Sequence, residues 1–211
     1  MRIKVGERNM NILIPMAGAG SRFTAAGYKE SKPAIPTYDR RTGEKLPMVV
    51  CATLDLPGVE ADGSNVIYVD RDFHKENGTE DKIRQHFPKA RFITIDHLTE
   101  GQACTCLLAE KYINNGEPLL IAGCDNGMEY SKEKFDDYRK KADVLVFTYR
   151  HNESVLSNPN AYGWMIVDND DNIIDVSIKK AISDNPMNDH AVVATFWFGG
   201  GGVSLQKPLK Q

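Results

Sequence analysis

The chain has 211 residues, a length that suits one domain and folds without help from disulfides or a structural metal. Its 26 basic and 29 acidic side chains give a net charge of −3, whereas a general nucleic-acid binder carries a basic excess. No apolar run reaches the roughly 18 residues of a membrane span, so partners among nucleic acids and membranes are not expected. The opening Met1-Arg2-Ile3-Lys4-Val5-Gly6-Glu7-Arg8 lacks the apolar stretch and cleavage site of a secretory leader. Cys51, Cys104, Cys106 and Cys124 are spaced too unevenly for a disulfide framework. They read as reduced thiols of a cytoplasmic protein.

In chain order, Asn11 to Met16 is a short apolar run that stops at Gly18, the pattern of a buried parallel strand. Pro47 to Leu56 reads as a helix with proline in its first turn. Asn65–Asp70 is a second strand, Thr79 to Phe87 a helix stopped by Pro88, and Arg91 to Ile95 a third strand. Gln102 to Ile113 is a helix closed by Asn114-Asn115-Gly116, and Pro118 to Ala122 a fourth strand. Ser131 to Lys141 is a helix capped by Ser131, and Asp143 to Tyr149 a fifth strand. Beyond residue 150 the long helices cease. Tyr162–Val167, Ile173–Ile178 and Ala191–Phe198 read as strands, the first two joined by the turn Asp168-Asn169-Asp170-Asp171-Asn172. The expected fold class is α/β, a doubly wound, mostly parallel sheet followed by a smaller antiparallel region. Ligands of such sheets sit at the carboxyl ends of the strands, which gathers the loops after residues 16, 95 and 122.

The densest motif is Ala17-Gly18-Ala19-Gly20-Ser21-Arg22-Phe23, followed by Ser31-Lys32-Pro33. Small residues let the backbone approach a phosphate, and successive N–H groups form an anion-binding concavity. The Arg22 guanidinium is a fixed fork of donors, and the Lys32 ammonium a mobile point charge. Strand, small-residue turn and two cations are the parts of a triphosphate cradle. The plain alternative is a tight strand-to-helix turn without a ligand. A Walker loop does not begin at Gly18 or Gly20, and a dinucleotide fingerprint wants a small residue where Phe23 stands.

Gly18-Ala19-Gly20-Ser21-Arg22-Phe23 with Lys32-Pro33 resembles the signature of the sugar-phosphate nucleotidyltransferases, or nucleotide-sugar pyrophosphorylases. Leu98 to Ala109, Ala122-Gly123-Cys124-Asp125-Asn126, Tyr162-Gly163, Ile178-Lys179-Lys180 and Ala191 to Phe198 resemble later segments of that family in the same order. The resemblance implies a Rossmann-like, glycosyltransferase-A-like fold in one domain over residues 1–211. Residues 1–150 would form the nucleotide-binding half and 151–211 an incomplete acceptor-side half. It implies transfer of a nucleoside monophosphate from a nucleoside triphosphate to a sugar phosphate or similar small phosphate, with release of pyrophosphate. By the same resemblance, Ala17 to Arg22 cradle the nucleotide, Arg22 meets the β/γ-phosphates and Lys32 the α-phosphate. Asp125 holds Mg²⁺, Gly101 and Gln102 read the base, and Gly163 and Lys179 (with Lys180 second) take the acceptor.

Two features depart from the family. Its second metal-binding aspartate, downstream of Asp125, has no counterpart before the chain ends in Gly199-Gly200-Gly201-Gly202 and a short tail, so a missing C-terminal end is expected. Its Glu-Lys-Pro is replaced by Ile178-Lys179-Lys180, which leaves the acceptor open. The family's bacterial members suggest surface-polysaccharide synthesis. Two alternatives stand beside the transferase: a nucleotide-binding module without catalysis, and a glycosyltransferase of related fold, for which Asp125-Asn126-Gly127 lacks the second acid. A homo-oligomer is left open.

Overall fold

The computed structural model describes residues 10–200; the tail beyond Gly200, read above as an incomplete end, lies outside them. The chain divides into two compact units. One holds the described residues up to Leu145 and resumes at Trp197; the other is Val146–Phe196.

In the first unit β1 (Asn11–Pro15) leads to α1 (Ser21–Ala25). A hairpin of β2 (Pro36–Tyr38) and β3 (Lys45–Pro47) precedes α2 (Met48–Leu54). Then come β4 (Val66–Arg71), α3 (Asp72–Glu76), α4 (Thr79–Arg84), β5 (Arg91–Ile95), α5 (Gln102–Leu107), α6 (Glu110–Ile113), β6 (Leu119–Ile121) and α7 (Lys132–Tyr138). The strand order is β5-β4-β1-β6, parallel throughout: Ile12 faces Val66 and Leu120, and Ile67 faces Arg91. Ile12, Leu13 and Ile14 are wholly buried, as are Val66, Tyr68 and Val69. A run buried on both faces cannot alternate with polar residues, which is why these strands read as continuous apolar stretches. Leu13, Val69 and Ile121 pack with Cys106, Ala109 and Ile113 of the α5–α6 region in one core cluster.

The second unit carries β8 (Gly163–Val167) and β9 (Ile173–Ile178). β7 (Val144–Tyr149) enters it from the first unit and β10 (His190–Phe198) leads back. β8 pairs antiparallel with both β9 and β10. Trp164, Val155 and Ala191 form its core, with the Trp164 indole N–H donating to the Pro159 carbonyl at 3.0 Å. The α/β class, with its parallel sheet and antiparallel part, is the expected one.

Local departures have local causes. The expected helix from Gln102 to Ile113 is two helices. At the junction Leu108 N–H and Ala109 N–H turn to the carbonyls three residues back, Thr105 and Cys106, instead of four. Pro47 ends β3 opposite Pro36 and also caps the start of α2, so the expected helix begins one residue later, at Met48. That hairpin is absent from the sequence reading because its strands are three residues long. It is organised by a buried carboxylate: Asp39 accepts from Thr42 N–H at 3.0 Å and Thr42 Oγ1 at 2.9 Å. Ser131 does cap α7, accepting from Lys134 N–H at 3.2 Å.

Candidate functional site

β1 brings the chain to the site and then releases it. Met16 N–H still donates to the Val69 carbonyl at 2.8 Å. Beyond it, among the described residues, the amides of Ala17, Gly18, Ala19, Gly20, Ser21 and Arg22 donate to no acceptor within the protein. Gly20 sits in the left-handed region at φ 62° and starts α1, its carbonyl accepting from Phe23 N–H at 2.9 Å. A side chain at Gly18 would meet nothing within 4 Å. The glycines therefore serve different needs: Gly20 the backbone conformation, Gly18 an open approach to the amides.

Gly18, Ala19, Gly20 and Ser21 line a cavity of about 290 Å³ together with Arg22, Lys32 and the buried Cys124, whereas Ala17 is itself buried and does not line it. Arg22 is exposed on α1. Lys32 begins a single 3-10 turn whose next two residues, Pro33 and Ala34, are buried and fix its base. Ser31, just before it, lies 2.9 Å from Thr79 Oγ1, which itself donates to Asn77 Oδ1 at 2.6 Å. Ser31 is therefore the donor, and the Lys32 turn is tied to α4. Nothing in the sequence singled out Thr79 for this. Lys32 Nζ lies 2.5 Å from Asp125 Oδ2 and 5.5 Å from the centre of the Phe23 ring. The two charged side chains keep 22% and 33% of their exposure. A pair that open to solvent contributes about 0–1 kcal/mol, so a polyphosphate or a cation can displace it.

Asp125 follows β6, at the carboxyl end of the parallel sheet. It is not in the cavity lining and is joined to it through Lys32. Burial pushes the Cys124 thiol up to about 11, against the attraction of Lys32, so it stays a neutral thiol at neutral pH and no nucleophile. Among the described residues, no three His, Cys, Asp or Glu side chains gather as a metal cluster. Mg²⁺ needs no such cluster: one or two carboxylates suffice where phosphates and water complete its shell. One exposed carboxylate beside a phosphate-sized cavity fits that pattern.

Of the other residues singled out by sequence, Gly101 and Gln102 are exposed and do not line this cavity. Gly101 is extended at φ 165°, and its carbonyl accepts from Thr105 N–H at 3.0 Å and from Thr99 Oγ1 at 3.2 Å. Those threonines, 2.6 Å apart, fix the start of α5. In the second unit, Gly163 pairs with Ile178, and Lys179 N–H donates to the Tyr162 carbonyl at 2.9 Å, so Gly163 and Lys179 are neighbours there.

At the end of β4 stands a charged group the motifs did not reveal. Asp70 is fully buried, and neither carboxylate oxygen has a hydrogen-bond partner among the described residues. Desolvation, reinforced by nearby Glu80, raises its pKa to about 7, against a lowering contact with Thr94. His74, also buried, accepts from Arg71 N–H at 3.1 Å and is lowered to about 4, chiefly by burial.

No protein-family model matches the chain, and no curated protein sequence matches it. Solved structures do resemble it. A Bacillus anthracis protein described as a glucose-1-phosphate thymidylyltransferase aligns with a TM-score of 0.66 at 17% identity, covering 90% of this chain and 71% of its own. A nucleoside-diphosphate-sugar pyrophosphorylase from Vibrio cholerae aligns at 0.63 and 16%, covering 90% and 73%. HddC from Yersinia pseudotuberculosis, complexed with GMP-PN, aligns at 0.60 and 15%, covering 90% and 76%. At these identities the likeness establishes a shared α/β fold.

Proposed function

We propose that the chain is a nucleotidyltransferase, moving a nucleoside monophosphate from a nucleoside triphosphate to a sugar phosphate or similar small phosphate and releasing pyrophosphate. One observation carries this reading: the amides of Gly18 to Arg22, unclaimed by other acceptors, border a cavity that the Arg22 and Lys32 side chains also line. Unused backbone donors converging with a guanidinium and an ammonium suit a polyphosphate and little else of that size.

In this reading an oxygen of the acceptor phosphate attacks the α-phosphorus in line. A bond forms between them as the bond from the α-phosphorus to the bridging β-phosphate oxygen breaks, and pyrophosphate leaves with that electron pair. Little covalent work falls to the protein; positioning and charge stabilisation dominate such transfers. The elbow amides with Arg22 hold the β- and γ-phosphates. Lys32 leaves Asp125 for the α-phosphate, where added charge is stabilised in the transition state. Asp125 would hold Mg²⁺, which when bound supplies charge neutralisation across the phosphates. Gly101 and Gln102 are proposed for the base, and Gly163 with Lys179 for the acceptor. A cytoplasmic location and a role in surface-polysaccharide precursors follow from the same reading.

The test is pyrophosphate release across the common nucleoside triphosphates and a panel of sugar phosphates, with Mg²⁺. Turnover in one pairing supports the proposal. Tight triphosphate binding without turnover in any pairing would convert it to a non-catalytic nucleotide-binding module.

A further inference from the structure

β9 is the edge strand of the second unit's sheet, paired with β8 on one side and with no described strand on the other. Its apolar residues are unusually open: Ile173 is 44% exposed, Ile174 64%, Val176 46% and Ile178 76%. Register places three of them on one face. Ile178 is opposite Gly163 and Val176 opposite Met165. The irregularity between Ile166 and Val167 returns Ile173 to that same face, opposite Val167. Gly163 offers no side chain to cover Ile178. Edge strands are normally blunted by charge or irregularity; within β9 these devices are limited to Asp175 and the irregularity beside it, and the remaining charges stand beyond its two ends.

The ends carry opposite charge. Before β9 lies the acidic turn Asp168-Asn169-Asp170-Asp171, and after it Lys179-Lys180. Asp168 is occupied in shaping its turn, accepting from the amides of Asp170 and Asn172 at 2.9 Å, while Asp170 is exposed at the turn's tip. Among the described residues neither lysine is in an ion pair. A partner of single charge sign would satisfy one end and be repelled by the other. A second copy laid antiparallel satisfies both ends at once, because a two-fold contact sets each end of the strand against the opposite end of its mate.

We propose that β9 is a self-association surface through which two copies of this chain pair antiparallel, apolar centre to apolar centre, with the Lys179-Lys180 end of each copy beside the acidic Asp168–Asp171 turn of the other. The inference is independent of the nucleotide site. An antiparallel register that set Asp175 against Asp175 would be repulsive. A shift setting Val176 against its own counterpart brings Ile174 opposite Ile178 and Asp175 opposite Ser177, so this register is the one expected.

The test is sedimentation equilibrium of the full chain over a concentration series. The wild type should reach dimer mass. Ile178→Lys, at a position too exposed to disturb folding, should be monomeric with an unchanged far-UV circular dichroism spectrum. Lys180→Glu and Asp170→Lys should each dissociate alone, and an equimolar mixture of the two should recover dimer mass, because both ends of the mixed pair are then complementary. A monomeric wild type, or a dimer indifferent to Ile178→Lys, overturns the proposal. So does a mixture that stays monomeric.

Discussion

The ammonium of Lys32 lies 2.5 Å from the carboxylate of Asp125, joining the turn after the glycine elbow to the carboxyl end of β6. The two groups proposed for the α-phosphate and the metal thus neutralise each other until a ligand separates them. Each is presented from a rigid base, Lys32 above buried Pro33 and Ala34 and Asp125 beside buried Cys124.

Lys32→Ala and Arg22→Ala are each expected to lower kcat/KM for the working nucleotide by at least tenfold, about 1.4 kcal/mol of transition-state stabilisation. The two should divide differently. In the proposed roles, Lys32 at the α-phosphate should show its loss mainly in kcat, and Arg22 at the β- and γ-phosphates should raise KM as well. Steady-state kinetics of both variants checks this.

Asp125→Asn removes the carboxylate and releases Lys32. Stability should change by no more than about 1 kcal/mol, since the pair is partly solvated, while turnover should fall at least tenfold, about 1.4 kcal/mol. Thermal melting beside a Mg²⁺ titration of activity separates the two effects. Wild-type turnover in this variant would remove Asp125 from the site.

The elbow glycines give opposed expectations. Gly20→Ala puts a side chain at φ 62°, with Lys32 Cβ at an ordinary 3.6 Å, so the cost is backbone strain of about 1–2 kcal/mol. Gly18→Ala meets nothing within 4 Å and should leave the melting temperature unchanged while weakening triphosphate binding. Melting curves with and without nucleotide decide both.

How much of this could be read from the chain depended on what each element buries. β1, β4 and β6 were legible because strands covered on both faces must be apolar without a break. The elbow was legible because a left-handed residue and an open approach both call for glycine. The β2–β3 hairpin was not: three-residue strands carry too little pattern, and its organising Asp39 looks like any surface aspartate. The Thr79 hydroxyl that holds the Lys32 turn lies forty-eight residues from Ser31, and no spacing rule connects them. Gln102 was chosen by likeness to a helix start and stands away from the cavity lined by Arg22 and Lys32.

Asp70 should make stability pH-dependent. Its carboxyl titrates near 3.8 when unfolded and at about 7 when folded, so between those values the folded state binds more protons. Stability from this group therefore falls as pH rises from about 4 to 7 and is level above. Buried His74, lowered to about 4, acts oppositely between 4 and 6.5, losing stability as pH falls. Asp70→Asn should accordingly gain relative to the wild type between pH 5 and pH 8. Denaturant titrations at those two values check the sign, and a pH-independent difference would contradict it.

The most direct measurement is calorimetric titration of the folded chain with each nucleoside triphosphate in the presence of Mg²⁺. The account predicts one-to-one binding of at least one triphosphate, weakened at least tenfold, or about 1.4 kcal/mol, by both Arg22→Ala and Lys32→Ala. Absence of binding by every triphosphate, or binding that neither substitution alters, would contradict it.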